Sequence, residues 1–238
     1  MIEAIIIAGG EGRRLQSVVS DVPKPMAKVG GRPFLEYLVS QLKAAGVTRI
    51  VMSVSHKAHV IKDHFGDGSR FGVPMRCAEE KELLGTGGAI CYAAKESNIA
   101  DIFFVMNGDS YFDIDLKALA RAHTASGAVG TLALRKFMNP YRSGVVEIDR
   151  NSRIVKFHEK KPVHGEALIN GGVYVLSRSI FEHLPNKQKF SMEEEGFPAA
   201  IEAGLHGEVC EGYFIDIGIP EDFARAQEEL PRHIKSEV

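Results

Sequence analysis

Ile2-Glu3-Ala4-Ile5-Ile6-Ile7-Ala8-Gly9-Gly10-Glu11-Gly12-Arg13-Arg14-Leu15 is the most informative stretch of this chain. From Ile2 to Ala8 every residue except Glu3 is apolar, and the run stops at glycine. That is the pattern of a short strand buried on both faces. A glycine-rich turn with two arginines follows at once. Backbone N–H groups in such a turn can approach a phosphate closely, and nearby arginines add positive charge. The turn is not the dinucleotide fingerprint, because GGEGRRL lacks the last glycine of G-x-G-x-x-G. Nor is it a P-loop, because no Gly-Lys-Ser/Thr closes it. Taken alone, a bare turn in an α/β protein accounts for it equally.

Outward from this strand the pattern repeats. Pro33–Ala45 places Phe34, Leu35, Leu38, Val39 and Leu42 at helical spacing, with Pro33 suited to the first turn and Gly46 to the stop. Strands are expected at Arg49–Val54, Val73–Cys77 and Ile102–Met106, and helices at His56–Phe65, closed by Gly66, and Gly87–Glu96. This alternation predicts an α/β fold: a Rossmann-like mixed, mostly parallel central sheet flanked by helices. Ligands of such sheets bind at the carboxyl ends of strands. Gly9–Arg14 and Asn107–Asp109 both stand there. The second half is richer in strands, at Val129–Arg135, Gly144–Ile148, Ile154–His158 and Leu168–Leu176, with Asp149–Ser152 as a hairpin turn. Helices are expected at Asp115–Ala125 and Pro220–Leu230. A third falls within Met192–Ala203, where Gly196 and Pro198 weigh against it. The polar residues Arg232–Val238 are expected to fray. The change near residue 120 predicts two lobes sharing one sheet within a single domain, 1–238.

Composition narrows the function. Lys+Arg 29 against Asp+Glu 31 leaves a net charge of -2, so no basic field exists to hold nucleic acid by counterion release. No apolar run approaches the ~18 residues of a membrane span, and no basic region precedes the first apolar run as in a signal peptide. A soluble, cytoplasmic protein with neither nucleic-acid nor membrane partner is expected. Cys77, Cys91 and Cys210 are widely spaced and form no C-x-x-C pair, so they read as reduced, buried thiols. His56 and His59 lie three apart without a cysteine or carboxylate cluster to complete a metal site.

Pro23-Lys24-Pro25-Met26 brackets a lysine between two prolines in extended backbone, which restricts where the ammonium points. A solvated lysine is the alternative. Gly31-x-Pro33-Phe34-Leu35, Leu84-Gly85-Thr86-Gly87-Gly88-Ala89, Asn107-Gly108-Asp109, Phe157-His158-Glu159-Lys160, Asn170-Gly171-Gly172-Val173-Tyr174 and Asp216-Ile217-Gly218-Ile219-Pro220 follow in that order. Together with the glycine-rich turn, these segments resemble the signature of the sugar-phosphate nucleotidyltransferases, or nucleotide-sugar pyrophosphorylases. The resemblance covers nearly the whole chain.

The resemblance implies a reaction between an NTP and a sugar 1-phosphate that yields an NDP-sugar and pyrophosphate. The nucleophile is already ionised, so the protein supplies positioning and charge neutralisation. Arg14, Lys24 and Asp109 are the implied catalytic residues. Ala8, Gly9, Gly10, Gly12, Arg13, Glu80, Gly85 and Thr86 are implied at the nucleotide. Asp109 and Asp216 are implied to hold Mg²⁺, a hard cation that prefers carboxylate and phosphate oxygens. Gly144, Glu159 and Asn170 are implied at the sugar, in a β-rich lobe over about 121–238, with the nucleotide lobe over about 1–120. Phe157-His158-Glu159-Lys160-Lys161-Pro162 is one lysine longer than the family's Phe-x-Glu-Lys-Pro. Either Lys160 or Lys161 is therefore implied to bind the sugar phosphate, with Lys-Pro spacing favouring Lys161.

In the family a residue about five before the first glycine reads the base, which is Glu80 here. A carboxylate only accepts hydrogen bonds, and guanine offers N1–H and N2–H₂ side by side. This favours GTP; the alternative leaves Glu80 solvated and gives the base to backbone amides. Glu79–Ile90, Asn107–Tyr111 and Phe190-Ser191-Met192-Glu193 are similar to the short bacterial members acting on D-glycero-D-manno-heptose 1-phosphate for capsule, lipopolysaccharide or S-layer glycans. Nothing after Leu230 is expected to form the extra domain of bifunctional relatives. N-acetylmuramate 1-phosphate uridylyl transfer and mannose 1-phosphate guanylyl transfer are the alternatives. A regulatory subunit without turnover is a third, though Arg14, Lys24, Asp109 and Asp216 are all present. A glycosyltransferase would use Asp113-Ile114-Asp115 as its metal motif; the plainer expectation for those two is a loop residue and a helix cap. Short members of the family are often dimers, so a homodimer is expected.

Overall fold

In the computed structural model, residues 2–140, 144–158 and 163–236 are described. The chain runs through β1 (Glu3–Ile7), a small hairpin of β2 (Lys28–Val29) and β3 (Arg32–Pro33), α1 (Phe34–Ala44), β4 (Ile50–Val54), α2 (Ala58–Phe65), β5 (Met75–Glu79), α3 (Gly85–Ser97), β6 (Ile102–Asn107), β7 (Ser110–Phe112) and α4 (Leu116–Ser126). It continues through β8 (Gly130–Met138), β9 (Val145–Ile148), β10 (Ile154–His158), β11 (Glu166–Ser177), α5 (Phe197–Gly204), β12 (Leu205–Val209), β13 (Phe214–Asp216) and α6 (Pro220–Ser236).

The main sheet has the order β10-β9-β11-β6-β1-β4-β5, with β8 pairing β11 and β12. Its centre is parallel: Ile5 of β1 stands opposite Val51 of β4 and Val105 of β6. β1 is buried on both faces, as its sequence requires. Ala4 and Ile6 join Leu35, Leu38 and Leu42 of α1 and Leu230 of α6 in one core. Ile5 joins Ile90 and Ala94 of α3 and Phe197 of α5 in the other. Each fully buried isoleucine contributes roughly 1.5–3 kcal/mol relative to exposure. The expected mostly parallel sheet with helices on its flanks is the observed fold. β11 joins it antiparallel to β6 and brings the second half of the chain alongside the first.

Three local expectations are corrected. α3 starts at Gly85, two residues before the expected Gly87. α6 does not end at Leu230 but continues through Pro231 to Ser236. The apolar stripe Phe223, Ala226 and Leu230 continues to Ile234, which packs on the core. That extra apolar turn outweighs the hydrogen bond that Pro231 cannot donate. The cysteines are free thiols as expected but half-buried rather than buried. Among the described residues no helix is long and apolar enough to cross a membrane.

Candidate active site

The glycine-rich turn leaves β1 with the Ala8 N–H donating to the Ser53 carbonyl at 2.8 Å. Its glycines are needed where the loop touches its neighbours. A Cβ on Gly9 would lie 2.9 Å from Glu80 Oε1, and one on Gly12 would lie 2.9 Å from Lys24 Cβ. Gly12 also has φ 63°, in the left-handed region. The loop thus runs from Glu80 at one end to Lys24 at the other. A Cβ on Gly10 would meet no described atom within 4 Å, so the space beside it is open. Beyond it Arg13–Leu15 form one 3₁₀ turn anchored by buried Leu15. The two arginines part company there. Arg14 lines the large cavity described below, while Arg13 is exposed and pairs with Glu11.

Lys24 enters the site because Pro23 is extended and Pro25 and Met26 are buried, which pins the short turn between them. Its ammonium forms an ion pair with Asp109. Asp109 follows β6, where the Gly108 N–H donates to the Ile7 carbonyl at 2.9 Å. The Asp109 carbonyl accepts from the Ile217 N–H at 2.9 Å, which ties this turn to the end of β13. β13 pairs antiparallel with β7 and sets Asp216 opposite Ser110. Asp216 is accessible from the cavity, yet surrounding protein strips water from it. That desolvation, followed by the charge of Asp109, pushes its carboxyl up to about 6 against the opposing pull of Lys24, the Gly218 N–H and Arg14. Arg14, Lys24, Asp109 and Asp216 therefore share one electrostatic neighbourhood.

A divalent cation fits this group. The charge of Asp109 beside Asp216 is relieved by a cation shared between the two carboxylates. Among the described residues no cluster of three or more His, Cys, Asp or Glu could hold a metal. A hexacoordinate Mg²⁺ would therefore take its remaining ligands from phosphate oxygens and water. Asn107 Oδ1 and Ser110 Oγ beside it are buried with no hydrogen-bond partner among the described residues. Orphaned atoms of this kind are rare in folded proteins and invite a polar ligand group.

A cavity of about 700 Å³ opens beside these groups. Asn170 lies on its wall, where β11 breaks register against β8 between Asn170 and Tyr174. The Asn170 side chain accepts from the Gly172 N–H at 3.0 Å and donates to the Tyr174 hydroxyl at 2.7 Å. Its own N–H donates to the Gly144 carbonyl at 3.1 Å, so two of the implied sugar-side residues meet at this wall. Glu159, Lys160 and Lys161 lie outside the described residues. Thr86 also faces this cavity, but its hydroxyl is committed to Glu193 and accepts from the Met192 N–H at 2.8 Å. The residues at Met192–Gly196 form a wide π-type turn before α5.

Glu80 lines a second cavity of about 540 Å³ with Glu11, Ser55 and His56. It is not solvated, contrary to the plainer expectation, but only 5 % exposed. Its carboxylate accepts from Ser53 Oγ at 2.9 Å and the Leu84 N–H at 3.1 Å. Burial raises its pKa, partly offset by those two donors. Asp113 and Asp115 form no metal pair. Asp113 bonds His233 at 2.7 Å, and Asp115 caps α4 by accepting from the Ala118 N–H at 2.9 Å. Sequence reasoning assigned no role to Arg135, Glu193, Asn107 or Ser110, all of which line the larger cavity. The signal for Arg135 was a lone arginine ending the apolar run Leu132-Ala133-Leu134.

Residues 3–233 match the family described as nucleotidyl transferase. A D-glycero-alpha-D-manno-heptose 1-phosphate guanylyltransferase from Aneurinibacillus thermoaerophilus is 39% identical over 234 residues, 98% of this chain and 100% of that protein. A mannose-1-phosphate guanylyltransferase from Mycobacterium tuberculosis is 37% identical over 98% of this chain and 66% of its own length. The crystal structure of HddC from Yersinia pseudotuberculosis complexed with GMP-PN superposes with a TM-score of 0.82 at 37% identity, covering 97% of this chain and all of that one. With strand-end glycine loop, clustered carboxylates and near full-length similarity in agreement, this chain belongs to the nucleotidyl transferase family and is an enzyme of that class.

Proposed function

We propose that this protein transfers the guanylyl group of GTP to a sugar 1-phosphate, D-glycero-α-D-manno-heptose 1-phosphate being the favoured acceptor, and releases pyrophosphate. The observation that carries the guanine assignment is the buried Glu80 carboxylate beneath the glycine-rich loop. Each of its oxygens accepts one protein hydrogen bond and retains a second lone pair for the guanine N1–H and N2–H₂ edge. Relatives named as guanylyltransferases and a guanine nucleotide complex of the Yersinia protein support the same base. The heptose rests on similarity to the Aneurinibacillus protein.

In this reading Arg14 takes the pyrophosphate end of GTP with the loop amides from Gly10 to Gly12, and the adjacent Arg13 shares the task. Lys24 stabilises charge at the α-phosphate. Its present partner Asp109 keeps the ammonium aimed into the site until the nucleotide arrives. Asp109 and Asp216 would hold Mg²⁺, which neutralises phosphate charge when bound. The acceptor lies in the larger cavity against Gly144 and Asn170, with Glu159 on the sugar and Lys160 or Lys161 on its phosphate. An ionised phosphate oxygen then attacks the α-phosphorus in line, and no general base is needed. Within a single domain, residues 1–120 serve the nucleotide and 121–238 the sugar. The reading includes a cytoplasmic homodimer whose product feeds capsule, lipopolysaccharide or S-layer glycan assembly.

Pyrophosphate release with Mg²⁺ tests it, crossing GTP and UTP with heptose, mannose and N-acetylmuramate 1-phosphates. Turnover of GTP with heptose 1-phosphate is expected. GTP with mannose 1-phosphate alone replaces the sugar. UTP with N-acetylmuramate 1-phosphate overturns both base and sugar. Nucleotide binding without any turnover makes the protein a binding subunit.

A further inference from the structure

Among the described residues, Arg135 is a cation without an anionic partner. It ends the buried part of β8, one pair across from Ile169 and next to Asn170 on β11. Its guanidinium carbon lies 4.9 Å from the centre of the Phe214 ring and 5.6 Å from that of Phe137. All three side chains line the larger cavity. Among the described residues no carboxylate lies within ion-pair range of Arg135, and its hydrogen bond from Nε to the Lys136 carbonyl is long at 3.5 Å. Burial lowers its pKa, and among the described residues only the two rings and that long hydrogen bond offset the cost, with no opposite charge beside it.

The rest of the cavity wall sharpens the question of what repays that cost. Glu193, Glu194, Asp216 and Asp222 all face the same space. Arg225 is committed to Asp222 and Glu229. Arg14 stands beside Gly218, where a Cβ would lie 3.6 Å from its Nη2. A dianionic phosphate entering this acidic cavity is favoured by a further cation on the sugar side, besides the proposed Lys160 or Lys161. A guanidinium stacked on aromatic rings presents a planar edge of N–H donors with little freedom left to lose, which suits two phosphate oxygens at once. Phe214 stands two residues before Asp216 on β13, so the same strand that braces Arg135 carries a proposed metal carboxylate.

We propose that Arg135 is a binding residue for the phosphate of the sugar 1-phosphate, gripping it from the β8 side while the nucleotide is held from the β1 side. This rests on the sugar-phosphate reading above. Arg135→Gln keeps a polar side chain of similar reach and removes the charge. Steady-state pyrophosphate release with GTP and heptose 1-phosphate is expected to show the KM for the sugar phosphate raised about 10- to 100-fold. The KM for GTP stays within about twofold, which also certifies the fold, and Arg135→Lys falls between. Free heptose, used as a competing ligand, is expected to inhibit wild type and Arg135→Gln alike. An unchanged KM for the sugar phosphate overturns the proposal, as does an equal loss of affinity for free heptose. If wild type turns over no sugar phosphate, the reaction assignment fails by itself. Calorimetric titration of heptose 1-phosphate into both proteins then decides Arg135: tighter binding by wild type sustains the contact, and equal or absent binding in both overturns it.

Discussion

Lys24 and Glu80 are the two residues whose surroundings say most about their work. Lys24 is 13 % exposed in its side chain and pinned by flanking prolines, so its charge is placed rather than merely present. Lys24→Ala and Asp109→Asn are each expected to lower kcat for pyrophosphate release by about 10²–10³-fold, the usual loss when one preorganised electrostatic contact is removed. Asp113→Ala is expected to leave kcat within about twofold, because that carboxylate serves His233 instead. Glu80 carries the opposite kind of tension. Burial raises its pKa, so its contribution to stability is fullest below the ordinary carboxylate range and is lost as pH rises through the raised value. Glu80→Gln can still accept from the Leu84 N–H and bond Ser53. It is therefore expected to melt above wild type at neutral pH and level with it near pH 4. The same variant is expected to raise the KM for GTP about tenfold, since an amide cannot accept two N–H groups side by side. Scanning calorimetry and initial rates check the two halves separately. A site that gives up stability for a ligand contact behaves in this way.

The glycines of Leu84-Gly85-Thr86-Gly87-Gly88-Ala89 make an element-scale point. A Cβ on Gly87 would lie 2.1 Å from the Phe190 ring, and one on Gly88 would lie 2.1 Å from the Gln188 carbonyl. These glycines let residues 188–190 press against the first turn of α3, where the Gly87 N–H donates to the Phe190 carbonyl at 3.0 Å. That contact seats the turn carrying Glu193 against Thr86. Gly87→Ala is expected to destabilise the fold by about 1–3 kcal/mol through overpacking. It is also expected to raise the KM for the sugar phosphate more than that for GTP, because Glu193 moves with the displaced turn. Restoration of both by Phe190→Leu in the Gly87→Ala background would tie the effect to this contact. At the same scale, Pro231 is accommodated inside α6 where Gly30 lacks a side chain. A Cβ there would lie 2.3 Å from the proline ring, and Gln227 bonds the same hairpin through the Lys28 carbonyl at 2.8 Å.

At the scale of the whole molecule, the carboxyl ends of β1 and β6 and the end of β13 converge, and the site lies where they meet. Chelation of divalent cations is expected to abolish turnover, with Mg²⁺ restoring it. Mg²⁺ with GTP at about 100 times its Kd is expected to add about 2.7 kcal/mol of stability in a melting experiment. Asp216→Ala is expected to remove most of the Mg²⁺-dependent part of that gain. The element order was legible in the sequence because apolar period and glycine or proline punctuation are local signals. Ile2–Ala8, Pro33–Ala45 and Ile102–Met106 each carried theirs within a short local stretch. Arg14, Lys24, Asp109 and Asp216 were legible as separate motifs for the same reason. Their meeting was implied by the family resemblance but carried by no local signal, since it depends on β11 docking beside β6 and on β13 pairing with β7, contacts between residues far apart in the chain. Not legible at all were the burial of Glu80, the diversion of Arg13 to Glu11, or the lack of an anion beside Arg135 among the described residues. The chain by itself determined which strands and turns exist and what chemistry each can offer. Only the tertiary structure decided which side chains share a cavity and which are spent on one another, because burial and ion pairing are properties of neighbours in space.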